Sequence, residues 1–161
     1  MKTITRFNIY LPIAAMILTA SLAVPAAAQN QVPFKGAFQG NDTVAFPTVT
    51  TSVTGTGTLV GQLSLTEVVT LTSLTGAGHW VAANGDTIET TFVASPDFST
   101  HALGYITVTE IHTITSGTGR FTGAQGSFTL ERTHIVAPSA DGTHVTFGSF
   151  HGTITSPGAA H

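Results

Sequence analysis

The sequence contains no cysteine, and only 8% of its 161 residues are charged. Without cysteine there is no disulfide to hold a fold, no thiolate nucleophile and no sulfur-ligated metal centre. Basic residues are especially scarce: five Lys and Arg against eight Asp and Glu. Beyond residue 28 only Lys35, Arg120 and Arg132 remain, too scattered for the basic patch that binding a nucleic-acid backbone requires. The same scarcity excludes a polybasic membrane-surface segment. Sustained helical periodicity is missing after residue 30. Low charge here does not mean disorder, because disordered chains are rich in charge and poor in β-branched residues. This chain is the reverse, with 27 threonines from Gln29 onward.

The N-terminus reads as a targeting segment. Lys2 and Arg6 precede an apolar stretch from Ile9 to Val24, and Ala26-Ala27-Ala28 offers a small-residue cleavage site. The expectation is a signal peptide over residues 1–28, cleaved after Ala28. The protein would then be secreted or periplasmic, with no membrane anchor and a single domain over 29–161. Its length suffices for one hydrophobic core.

From there on, period-2 runs alternate with Gly, Asn, Asp and Pro, the pattern of an all-β domain. Eight strands are predicted, at about 34–40, 54–62, 63–73, 76–82, 87–94, 103–116, 126–136 and 144–155. Asn41 to Ser52, containing Pro47, reads as a long connection. Aromatics and glycines recur at short intervals in Phe34–Gly40 and again in Phe147–Gly152. If these first and last strands pair, the sheet closes into a barrel without open edges. Asn84-Gly85 predicts a two-residue hairpin turn that sets Val81 against Ile88 and Ala77 against Phe92, with Trp80 and Glu89 on the other face. A second hairpin, with Ile114 opposite Phe128, sets His112 against Leu130, Glu110 against Arg132 and Val108 against His134. Phe34, Phe38, Val81, Ile88, Phe92, Val108, Ile114, Phe128, Leu130, Phe150 and Ile154 form the expected core.

The chemistry, if any, lies on that second hairpin. Glu110, His112, Arg132 and His134 interrupt the apolar face of Ile106, Val108, Ile114, Phe128 and Leu130, and Glu67 stands among Leu63, Leu65, Val69 and Leu71. A charge on an apolar face is costly unless paired. One reading is a Glu110–Arg132 ion pair that holds register. The other is a ligand site of Glu110, His112, Arg132, His134 and Glu67, with Arg132 for an anionic or carbonyl group and Glu110 or His112 as proton carrier. Histidines are frequent, but none has helical metal-ligand spacing. His134 and His144 become diagonal neighbours if Leu130 faces Phe150, and two ligands do not close a zinc site. No metal and no cofactor is expected. No nucleophile elbow is present, so no catalytic residue is assigned. Gly117-Thr118-Gly119 and Gly123–Gly126 lack the following helix and lysine of a phosphate loop. They read as a tight turn with Phe121 tucked inward.

SGTGRFTGAQG, from Ser116 to Gly126, is similar to the G-T-G-R-F-x-G-A-x-G segment of plant dirigent proteins and, more loosely, of allene oxide cyclases. The wider pattern more closely resembles a family of small secreted bacterial proteins of unknown function. It includes AANGDT at Ala82–Thr87, GSFTLER at Gly126–Arg132 and GSFHGTI at Gly148–Ile154. The resemblance covers about Val53 to Gly158. It implies an allene oxide cyclase-like barrel of eight antiparallel strands around an apolar cavity, often oligomeric, in which the glycine-rich segment is structural. The catalytic residues of those families do not align, so no activity carries over. The expected function is binding of a small apolar or aromatic ligand inside the barrel. The alternatives are a structural or surface-interaction protein and a cyclase or isomerase-type enzyme. A homo-oligomer is a possible assembly.

Overall fold

Threonine and β-branched residues in strict alternation favour extended chain, and the computed structural model, which describes residues 30–155, is built almost entirely of it. Eight antiparallel strands form one closed barrel in sequence order. They are β1 Gln31–Ala45, β2 Thr48–Gly57, β3 Gly61–Thr70, β4 Thr75–Ala82, β5 Thr87–Asp97, β6 Tyr105–Gly117, β7 Gly126–Ile135 and β8 His144–Thr155. The expected signal peptide and the last six residues lie outside the described residues. β1 pairs with β8, setting Phe34 opposite Gly152, Gly36 opposite Phe150 and Phe38 opposite Gly148. The aromatic–glycine echo is therefore a seam in which each ring lies over a glycine of the facing strand. A Cβ on Gly152 would lie 2.5 Å from the Phe128 Cβ, so no larger residue fits there.

Inward side chains fall into two apolar clusters. One half of the barrel holds the larger cluster, with Phe34, Leu65, Trp80, Phe128, Leu130 and Phe150 all buried in it. Phe34 meets Phe128 edge-on at 4.9 Å, and Trp80 meets Phe150 at 5.2 Å. The glycine-rich segment closes this end as an outlying turn: Phe121 is buried, Gly119 takes φ +54°, and the Arg120 backbone N–H donates to Asp86 at 3.1 Å. The other half holds a smaller cluster of Val49, Val69, Phe92, Ala94 and Val108.

Three expectations need correction. Asn41 to Ser52 is not a long connection. β1 and β2 run on to Ala45 and from Thr48, and the chain reverses at Phe46 and Pro47 alone, which are joined by a cis peptide bond. The Asn84-Gly85 hairpin has a three-residue loop, Ala83-Asn84-Gly85, with Gly85 at φ +86°. One extra loop residue flips every side chain. Trp80 thus faces Ile88 in the core, while Gly76, not Ala77, opposes Phe92 and Val81 is only half-buried. In the second hairpin the register slips by two: His112 faces Phe128, Glu110 faces Leu130, Val108 faces Arg132 and Ile106 faces His134. The end of β6 stays with β5, where Ile88 pairs with Gly117, and the turn carrying Phe121 folds beneath the barrel. A two-residue slip preserves the faces, so every other expected core residue is buried.

Phe128→Ala and Phe150→Ala should each cost about 3–5 kcal/mol in urea unfolding, as expected for emptying an aromatic-sized core position. A loss below about 1 kcal/mol for either would contradict this packing.

Candidate functional site

Between the two apolar halves lies a belt of buried polar side chains. One cross-strand row supplies most of it: Asp42 on β1 opposes Thr51 on β2, Thr51 opposes Glu67 on β3, Glu67 opposes Gly78 on β4, and Gly78 opposes Thr90 on β5. Period-2 alternation brings Glu110 and His112 in from β6 and Arg132 and His134 from β7. Exposure is 1% for Asp42, 2% for Glu67, 0% for Glu110 and His112 and 6% for Arg132, so water does little to screen these charges.

Arg132 organises the belt. Its Nη2 meets Glu110 Oε1 at 2.7 Å. Its Nη1 donates to Thr51 Oγ1 at 2.6 Å and lies 3.5 Å from Asp42 Oδ1 and 3.6 Å from Glu67 Oε2. The Thr51 hydroxyl in turn donates to Asp42 Oδ1 at 2.6 Å. The Glu110–Arg132 pair thus forms although the two residues are diagonal rather than opposite. Two further carboxylates share the guanidinium.

The carboxylates are not equivalent. Burial pushes Asp42 towards its neutral form, but the hydrogen bond from His134, the Arg132 charge and the Thr51 hydroxyl outweigh it and hold its carboxyl below the ordinary 3.8. Glu67 has no hydrogen bond to either oxygen. Its burial, reinforced by the negative charge of Glu110 and only partly offset by Arg132, raises it well above the ordinary glutamate value. His112 is held below its usual value by burial, against the opposing pull of Glu110. Its ring is stacked between Phe92 and Phe128 at 4.7 and 4.9 Å, and Nδ1 lies 3.1 Å from Thr90 Oγ1.

Above the belt, at the end carrying the β1–β2, β3–β4 and β5–β6 connections, a cavity of about 480 Å3 opens. Val49, Val69, Leu74, Ala94, Phe98 and Val108 form its walls, and Asp42, Arg132 and His134 its polar part. Of the residues the sequence nominates, Arg132 and His134 line this cavity. Glu67, Glu110 and His112 lie in the belt and do not reach it. His134 Nδ1–H donates to Asp42 Oδ2 at 2.6 Å, and its ring stacks on His144 at 4.9 Å. That stack follows from the Leu130–Phe150 pairing expected from sequence.

Sequence reasoning missed Asp42, Thr51 and Thr90. The first two fell within the supposed connection, although Asp42 and Val44, then Val49, Thr51 and Val53, already alternate there. Comparison of the chain with family models, curated proteins and solved structures finds no match.

Arg132→Met should cost about 3–5 kcal/mol, because it strands buried carboxylates without a partner. Adding Glu110→Leu should recover only part of that loss, since Asp42 and Glu67 still face the vacated space; urea titrations of both variants measure it. Asp42 stabilises the fold fully above its unfolded value of 3.8, and that contribution is lost as pH falls through its lower native value. The urea midpoint should fall over that acid range, and Asp42→Asn should remove this part of the dependence.

Proposed function

We propose that this is a secreted or periplasmic binding protein with an allene oxide cyclase-like barrel that holds one small, largely apolar or aromatic ligand. The observation that carries the reading is the cavity: about 480 Å3, apolar-walled, ending on a few fixed polar groups. Its size lies within the range of small-molecule sites, and a few convergent polar groups on apolar walls are their usual composition. The polar groups also constrain the ligand's head. Arg132 already faces three carboxylates, and the Asp42 carboxylate borders the same space. An anionic head would lie against the Asp42 carboxylate, so a hydroxyl or carbonyl fits better than a carboxylate. His134, oriented by Asp42, is the side chain placed to meet it.

A catalytic reading has one specific support. The Asp42–His134 hydrogen bond is the arrangement that fixes an imidazole as a proton acceptor, here beside an apolar cavity, which suits an isomerase or cyclase-type proton transfer. Glu110 and His112 would act only through Arg132, because they lie beneath it. Self-association fits the outer wall, where Val93 and Ile111 are paired across β5 and β6 and both exposed.

Calorimetric titration with 1-naphthol and 1-naphthoate tests the binding reading. The neutral naphthol should bind saturably, the carboxylate at least about tenfold more weakly. Ala94→Phe, which fills the cavity, should abolish binding while leaving the β-type circular dichroism intact. Equal affinity for the two probes would reject the neutral head. Binding that survives Ala94→Phe would reject the cavity as the site.

A further inference from the structure

The belt contains one point at which three electron-pair donors converge. His112 Nε2 lies 3.3 Å from Glu110 Oε2 and 3.4 Å from Glu67 Oε1, and each of the three residues brings one ligand atom within 4.8 Å of the others. The hydrogen bonds behind the ring are compatible with a free electron pair on Nε2. The Thr90 hydroxyl donates to the Gly78 carbonyl at 3.3 Å and accepts from Trp80 Nε1–H at 3.3 Å. With its hydrogen on the Gly78 carbonyl, the same oxygen can accept from His112 Nδ1–H at 3.1 Å. In the tautomer with the hydrogen on Nδ1, Nε2 turns a lone pair towards two carboxylate oxygens; in the other, Nε2–H donates to Glu110 Oε2 at 3.3 Å. Three lone pairs facing one another in a dry interior repel unless a proton or a metal ion stands between them.

We propose that Glu67 Oε1, Glu110 Oε2 and His112 Nε2 are the three protein ligands of a divalent transition-metal ion, with Zn2+ the best match. Imidazole nitrogen and carboxylate oxygen are standard zinc donors, bound at about 2.0–2.2 Å. Two donors at that distance and a tetrahedral angle stand about 3.3–3.6 Å apart, close to the separations from Nε2 seen here. The remaining carboxylate oxygens point elsewhere: Glu110 Oε1 and Glu67 Oε2 both face Arg132. Arg132 therefore orients the two ligands without occupying the metal position.

Charge supports the same assignment. A divalent ion would let Glu67 and Glu110 both be ionised in this buried layer, where the single guanidinium of Arg132 is already shared with Asp42. Glu67 supplies the independent sign: a wholly buried carboxyl aimed at this point with no hydrogen bond to either oxygen. The Phe92 and Phe128 rings on either side of His112, together with Thr90 behind it, hold the imidazole in place. The site lies beneath the cavity and does not depend on the ligand proposed for it.

The test uses the full chain purified without metal-affinity steps. Plasma mass spectrometry should find about one Zn2+ per chain. Chelator-treated protein should take up one equivalent of Zn2+ by calorimetry, with Tm raised by about 5–10 °C at saturation. Co2+ in place of Zn2+ should give the intense visible absorption of a four-coordinate site. Glu67→Gln should weaken Zn2+ binding at least about tenfold, while His144→Gln should leave it unchanged. Folded protein that takes up no Zn2+ would overturn the assignment and leave a proton at the position. So would binding that survives Glu67→Gln, or that vanishes with His144→Gln. If Glu67→Gln fails to fold, the Co2+ spectrum of the unaltered chain decides: weak six-coordinate absorption would overturn the site.

Discussion

Arg132 is the one lysine or arginine side chain buried among the described residues, and the middle of the barrel is arranged around it. It reaches Asp42 on β1, Thr51 on β2, Glu67 on β3 and Glu110 on β6. A buried cation must be met from several directions, and a closed sheet can meet it because every strand turns alternate side chains into one space. An open sheet would present these partners on one flat face, too far apart to share a guanidinium. The ion-pair belt and barrel closure therefore require each other.

The belt also divides the interior into two environments. On one side, aromatic and aliphatic side chains form one continuous buried cluster. On the other, smaller residues such as Val49, Val69, Ala94 and Val108 leave space. The difference follows from side-chain volume: Phe34, Trp80, Phe128 and Phe150 occupy the packed end, and valine and alanine most of the positions near the mouth. One sheet of uniform geometry thus encloses both a buried core and a cavity.

Much of this architecture was legible in the sequence, and the failures have physical causes. Alternation identified the all-β class and the inward set on β6 and β7, because burial face depends on parity and survives a two-residue slip. It failed at Trp80, where one additional loop residue reversed the parity and only the turn's actual length could reveal it. The Asp42–Thr51 region was lost because Pro47 suggests a loop. Proline is equally at home at a two-residue reversal between long strands. Glu110 and Arg132 were recognisable as partners, since unpaired charges on an apolar face are costly. Nothing local to Glu67 or Thr90 says that a distant strand will bring His112 to them, because three-dimensional convergence across β3, β5 and β6 depends on strand stagger.

The β1–β8 seam carries a further consequence for how the molecule is made. Seven of the eight strand pairings join neighbours in the chain and can zip locally, whereas the eighth unites Gln31–Ala45 with His144–Thr155. Such high-contact-order pairing comes late and carries the greatest loop-closure entropy. Until β8 has been synthesised, β1 has an unpaired edge and no strand joins it to β7, which carries the Arg132 and His134 partners of Asp42. Local hairpins can therefore precede closure, but the closed barrel and its buried belt wait for almost the whole length of the chain.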